Sequence, residues 1–111
     1  MFERMREDVQ SVFHRDPAAR NTLDVTAIPL LKRETHLPVI VDPSHAGGKA
    51  WLVPALSCAA LAAGADGLML EVHPDPAQAW CDGDQALDGA AFGSLMAQLR
   101  PLAQVLGRSL A

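Results

Sequence analysis

The sequence predicts an α/β fold, with strands and helices alternating around a parallel sheet. Three observations carry this. Two short apolar runs, LPVIV at residues 37–41 and GLMLEV at 67–72, lack strict polar alternation and suit strands buried on both faces. Each is followed by a polar loop rich in Gly or Pro, and a stretch of helical composition separates them. The chain has 111 residues, half of them hydrophobic, which suffices for one small domain and not two.

The elements follow in order. Residues 1–14 mix charges of both signs and suit an exposed helix. Residues 15–21 (RDPAARN) read as a connector, because Asp-Pro disfavours continuing a helix. Residues 22–35 suit a helix with Thr26 as its cap, Pro29 in the first turn and Lys32, Arg33 and His36 towards its end. The first strand is 37–41, and residues 42–49 (DPSHAGGK) form a loop. A helix over 51–63 stops at Gly64. The second strand is 67–72, and 73–84 is a second loop with a helical turn at 77–80. A helix over 88–107 closes the chain. In it Phe92, Leu95, Met96, Leu99, Leu102, Val105 and Leu106 recur at spacings of three and four, and Pro101 removes one backbone bond.

Composition excludes several functions. Net charge is −4, the wrong sign for a nucleic-acid footprint. No apolar run approaches the ~18 residues of a membrane span. Residues 1–10 alternate in charge and resemble no secretory signal. Two cysteines, Cys58 and Cys81, make no disulfide framework, so a cytoplasmic chain with reduced thiols is expected.

Polar residues capable of chemistry gather after the two strands. His45 lies four residues beyond Val41, Glu71 ends the second apolar run, and Asp82 lies in the loop that follows. In α/β folds the carboxyl ends of parallel strands share one mouth. One imidazole and two carboxylates suit a divalent ion such as Mn, Fe, Co or Zn. Taken singly, each also suits a solvated or turn-capping residue. Asp42 fits two roles equally, orienting a neighbour or capping the Asp-Pro-Ser turn. His73, two residues past Glu71, would point to the same side of a strand, as a support for the site or as a plain strand end. Lys49 reads as a solvated loop residue, and Trp51, Trp80 and Cys58 as packing residues. His14 and His36 carry no signal.

Two strands cannot close a sheet. A (βα)8 barrel takes eight strands and roughly 250 residues, so this chain holds about a quarter of one. The words of the sequence account for the mismatch. Residues 37–49 (LPVIVDPSHAGGK) and 64–87 (GADGLMLEVHPDPAQAWCDGDQAL) closely resemble the end of the barrel in 3-deoxy-D-arabino-heptulosonate 7-phosphate (DAHP) synthases, a family related to 3-deoxy-D-manno-octulosonate 8-phosphate (KDO-8-phosphate) synthases. Residues 20–36 (RNTLDVTAIPLLKRETH) resemble the segment before it. The motifs DPSH, EVHPDP and DGxQ stand in family order, with 26 positions from His45 to Glu71 and 11 from Glu71 to Asp82.

The resemblance implies a partial (βα)8 TIM barrel, about its last two βα units plus flanking helices. It divides the chain into a divergent helix or connector at 1–19 and a barrel segment at 20–111. It implies that His45, Glu71 and Asp82 are metal ligands. The family's fourth ligand, a Cys on an early strand, has no match, and Cys81 stands where the family commonly has Ser. The implied reaction is the condensation of phosphoenolpyruvate with erythrose 4-phosphate to DAHP, the first step of the shikimate pathway to aromatic amino acids. The KPRTS-like and GIRTFE-like motifs that grip the substrate phosphates are absent from this sequence. The expectation is therefore a truncated chain, inactive alone, whose exposed strand edges favour a homo-oligomer or a marginal monomer, or else one part of a split enzyme completed by a complementing barrel chain. A non-catalytic remnant or interaction module with at most a weak metal site, and a KDO-8-phosphate synthase-like protein, are the alternatives.

Overall fold

The two apolar runs do pair in parallel, but over a shorter length than their composition suggests. The computed structural model describes residues 13–14, 22–79 and 84–110. Its elements are β1 (Phe13–His14), β2 (Thr22–Leu23), α1 (Ala27–Glu34), β3 (Ile40–Val41), α2 (Pro43–Gly47), α3 (Val53–Ala63), β4 (Gly67–Leu68) and α4 (Gly89–Val105). Two single 3-10 turns, Ala50–Leu52 and Pro76–Gln78, join them. β3 and β4 pair in parallel, Ile40 opposite Gly67 and Val41 opposite Leu68. Backbone bonds from Asp66 N to Val39 O (2.8 Å) and from Met69 N to Val41 O (2.8 Å) extend the ladder at both ends.

The N-terminal region departs from expectation. Phe13–His14 is a strand, not the end of a helix, and pairs antiparallel with Thr22–Leu23. The rest of the helix expected at 1–14, and the connector at 15–21, lie outside the described residues. The helix expected from residue 22 begins at Ala27. Thr22 and Leu23 are drawn into the pairing with β1, and Asp24 then opens a turn by accepting the Thr26 N–H at 3.0 Å. Thr26 holds the cap position without a side-chain bond, so the carboxylate of Asp24 does the work expected of its hydroxyl.

Helices cover one face of the β3–β4 pair. Ile28 and Leu31 of α1 pack with Val39, Val41, Ala60 and Ala65 in one cluster. Val53 and Leu61 of α3 pack with Leu87 and with Leu95, Leu99 and Ala103 of α4 in a second. Full burial of such a side chain is worth about 1.5–3 kcal/mol. The α4 stripe ends early: Val105 and Leu106 are exposed, so five of the seven expected apolar positions face the core. α4 runs through Pro101, and Asp88 caps it by accepting the Ala91 N–H at 2.7 Å.

The other face of the pair is open. Ile40 and Met69 are 56% and 55% exposed, which corrects the expectation of strands buried on both sides. Alternation along an extended segment accounts for this, since Val39 and Val41 face the helices while Ile40 faces away. Trp51 is 74% exposed and is not a packing residue.

The lower ends of the strands are clamped. Asp66, just before β4, accepts Lys32 Nζ at 2.7 Å, Val39 N at 2.8 Å and Arg108 Nη2 at 3.0 Å. Arg108 Nη1 also reaches Ala65 O at 2.6 Å. The bond from Lys32, with the Val39 N–H next in weight, holds the Asp66 carboxyl down at about 2. Groups at the amino ends of parallel strands tie the fold together in this way.

Candidate metal centre

The segment after β3, expected as a loop, is the short helix α2. Its sequence explains it. Asp42 sits outside helical geometry (φ −111°, ψ 85°), and its Oδ1 accepts the His45 N–H at 3.0 Å. Pro43 occupies the first turn, where no N–H is needed. Gly48 closes the helix at φ 73°, in the left-handed region that favours glycine. Gly47 lies so close to α3 that a Cβ there would come within 2.9 Å of Leu56 Cδ1. Polar and Gly-rich composition masked a helix held together by its two ends.

This turn aims His45 at the end of the neighbouring strand. The His45 Nδ1 lies 2.6 Å from Asp42 Oδ2, so one carboxylate both caps the helix and holds the ring. The sequence left those two roles of Asp42 open, and the structure assigns both. Ser44, fully buried, accepts the Glu71 N–H on its Oγ at 3.0 Å and ties α2 to the segment after β4. His45 Nε2 and Glu71 Oε1 then face each other at 3.6 Å, both side chains about 40% exposed.

Two of the three expected ligands are therefore brought together. The third, Asp82, lies outside the described residues, as do Trp80 and Cys81. Among the described residues no group of three or more His, Cys, Asp or Glu could hold a metal ion. The pair itself fits one. Donors each about 2.1 Å from a shared ion lie no more than about 4.2 Å apart, and the Nε2 to Oε1 separation falls within that reach.

The remaining polar residues serve elsewhere. His73 Nδ1 accepts the Asp75 N–H at 2.9 Å, the part of a strand-end residue rather than a support for His45. Its own N–H bonds Leu87 O, and Leu87 N bonds Glu71 O, which forms the isolated parallel bridge between Val72 and Leu87. The expected helical turn at 77–80 is the 3-10 turn Pro76–Gln78. Lys49 makes an exposed 3.7 Å pair with Asp84. Cys58 packs against the second core cluster, as expected. An apolar cavity of about 380 Å3 lies between β4 and α4, lined by Leu68, Leu70, Val72, Phe92 and Met96 among others. Neither His45 nor Glu71 lines it. The Asp66 clamp was missed in the sequence, because its partners are 34 and 42 positions away and no local pattern marks them.

Parallel βα units with an imidazole and a carboxylate meeting beyond the carboxyl ends of the strands define an α/β protein. The comparison with known proteins gives the family. Residues 9–105 match the DAHP synthetase I family, and the chain belongs to it. It is 50% identical over 92 residues to the phospho-2-dehydro-3-deoxyheptonate aldolase of Thermotoga maritima, which covers 83% of this chain and 27% of that protein. It is 43% identical over 76 residues to the 2-dehydro-3-deoxyphosphooctonate aldolase of Desulfosudis oleivorans, covering 59% of this chain and 27% of that one. The crystal structure of the Thermotoga maritima phospho-2-dehydro-3-deoxyheptonate aldolase (DAHP synthase) superposes with a TM-score of 0.84 at 48% identity, over 86% of this chain and 28% of that chain. The fold therefore resembles part of a DAHP synthase barrel. The family match begins at residue 9, upstream of the RNTLD segment at Arg20. The chain spans about a quarter of the length of these curated relatives. Among the described residues no helix is long and apolar enough to cross a membrane.

Proposed function

We propose that this chain supplies the metal-holding end of a DAHP synthase barrel, the last two βα units of a (βα)8 TIM barrel, with residues 20–111 as the barrel segment and 1–19 as a divergent extension. His45, Glu71 and Asp82 would hold a divalent ion, Mn, Fe, Co or Zn. The observation that carries this reading is the 3.6 Å approach of His45 Nε2 to Glu71 Oε1, each just beyond the carboxyl end of one of two paired parallel strands. A bound ion would act as a Lewis acid towards an aldehyde oxygen. The residues here do the rest of the local work. Glu71 brings negative charge to the site, His45 a neutral donor, and Ser44 fixes the distance between their backbones.

The substrates by this reading are phosphoenolpyruvate and erythrose 4-phosphate, in the cytoplasm, at the entry to the shikimate pathway. Phosphate groups need Arg and Lys forks or clustered backbone N–H groups. The motifs that supply them in the family are absent from these 111 residues. The reaction therefore belongs to an assembled barrel, with the exposed face of Ile40 and Met69 turned towards the strands that complete it. The relatives named as octonate aldolases favour a KDO-8-phosphate synthase-like barrel as the second reading, at lower identity.

The test is DAHP formation with Mn2+, by this chain alone and by this chain mixed with an N-terminal barrel fragment of a relative, with association of the two shown independently. The expected result is no turnover alone and turnover in the associated mixture. Turnover by the 111-residue chain alone, or none from a proven complex, contradicts the reading.

A further inference from the structure

We infer that Asp42 is a positioning residue that selects which nitrogen of His45 carries the proton, and thereby leaves the Nε2 lone pair directed at Glu71. The inference deepens the metal-site reading and rests on it for its purpose, though not for its test.

An ionised carboxylate only accepts hydrogen bonds, and a neutral imidazole has one N–H and one lone pair. Asp42 Oδ2 lies 2.6 Å from Nδ1, a short contact of the charge-assisted kind, so Nδ1 carries the hydrogen. The lone pair is then on Nε2, which faces Glu71 Oε1 at 3.6 Å. Nε2 and Oε1 then both present lone pairs within the reach of one ion. The second oxygen of Asp42 is engaged with the His45 backbone N–H at 3.0 Å, and this fixes the carboxylate plane relative to the ring. The same residue thus sets both the rotation of the helix start and the tautomer. A carboxylate behind a metal-binding imidazole fixes tautomer and ring orientation in this way, and its loss typically costs 10–100-fold in metal affinity.

Two substitutions separate tautomer selection from helix capping. Asp42→Asn keeps an oxygen for the His45 N–H but can turn an amide N–H towards Nδ1, which favours the opposite tautomer, as in catalytic His–Asp pairs. Asp42→Ser keeps a capping oxygen but is too short to serve both groups. The experiment is long-range 1H–15N NMR of the metal-free 111-residue chain, followed with rising pH until the ring nitrogens show one protonated and one unprotonated position, together with Mn2+ titration. In the native chain the His45 Nε2 should show the shift of an unprotonated ring nitrogen. In Asp42→Asn that signature should move to Nδ1, and in Asp42→Ser it should be shared, with Mn2+ affinity down 10–100-fold in both. A protonated Nε2 in the native chain, or an Asp42→Asn spectrum unchanged at His45, overturns the inference. The metal-site reading fails separately, if Mn2+ binding is indifferent to His45→Ala while the NMR signature stands.

Discussion

Ser44 and Glu71, 27 positions apart, are joined by a single hydrogen bond in which the buried Ser44 Oγ accepts the Glu71 N–H at 3.0 Å. That bond couples α2, which carries His45, to the strand end that carries Glu71. It ties the two βα units together where His45 and Glu71 meet.

Removal of this hydroxyl should therefore cost both stability and metal affinity. Ser44→Ala leaves the Glu71 N–H without its acceptor, at about 1–3 kcal/mol. Urea unfolding should show that loss, and Mn2+ titration a weaker site. Unchanged values in both would mean that Glu71 is placed by other contacts.

Asp66 predicts an acid-sensitive fold. Its carboxyl is held at about 2, below its ordinary 3.8, chiefly by Lys32. A depressed carboxyl adds stability that is complete above its ordinary value and is lost as pH falls through its folded value. Stability should thus decline between pH 3.8 and about 2, and Asp66→Asn should flatten that part of the curve. Thermal melts across this range check it, and an identical pH slope in both proteins contradicts it.

The helix that closes the chain predicts a sharp contrast between two of its apolar positions. Leu99 is 1% exposed and Val105 83%. Leu99→Ala should cost about 2–5 kcal/mol, as large-to-small changes in a core do. Val105→Ala should stay within about 0.5 kcal/mol. Denaturant midpoints distinguish them, and comparable losses at both positions would place Val105 in an interface.

The order of strand and helix was legible because runs such as LPVIV and the three-four spacing of Leu95, Leu99 and Leu102 are local signals. Boundaries that depend on distant partners were not. Thr22 and Leu23 read as helix until paired with Phe13–His14. The helix Pro43–Gly47 was hidden by residues that usually mark loops, since Asp42 and Gly48 stabilise it from outside. Ile40 looked buried on composition alone, because the side of a strand left uncovered is decided by which elements pack on it. At the site, spacing and motif pointed to His45 and Glu71, which do meet. The double use of the Asp42 carboxylate needed coordinates, because capping and ring contact look the same in sequence.

On the proposed reading, His45 and Glu71 share one divalent ion. Mn2+ titration of the native chain, His45→Ala, Glu71→Ala and His36→Ala, followed calorimetrically, tests it most directly. Saturable binding that is strongly weakened by the first two substitutions and untouched by the third is the predicted result. Equal affinity in all four proteins would contradict it.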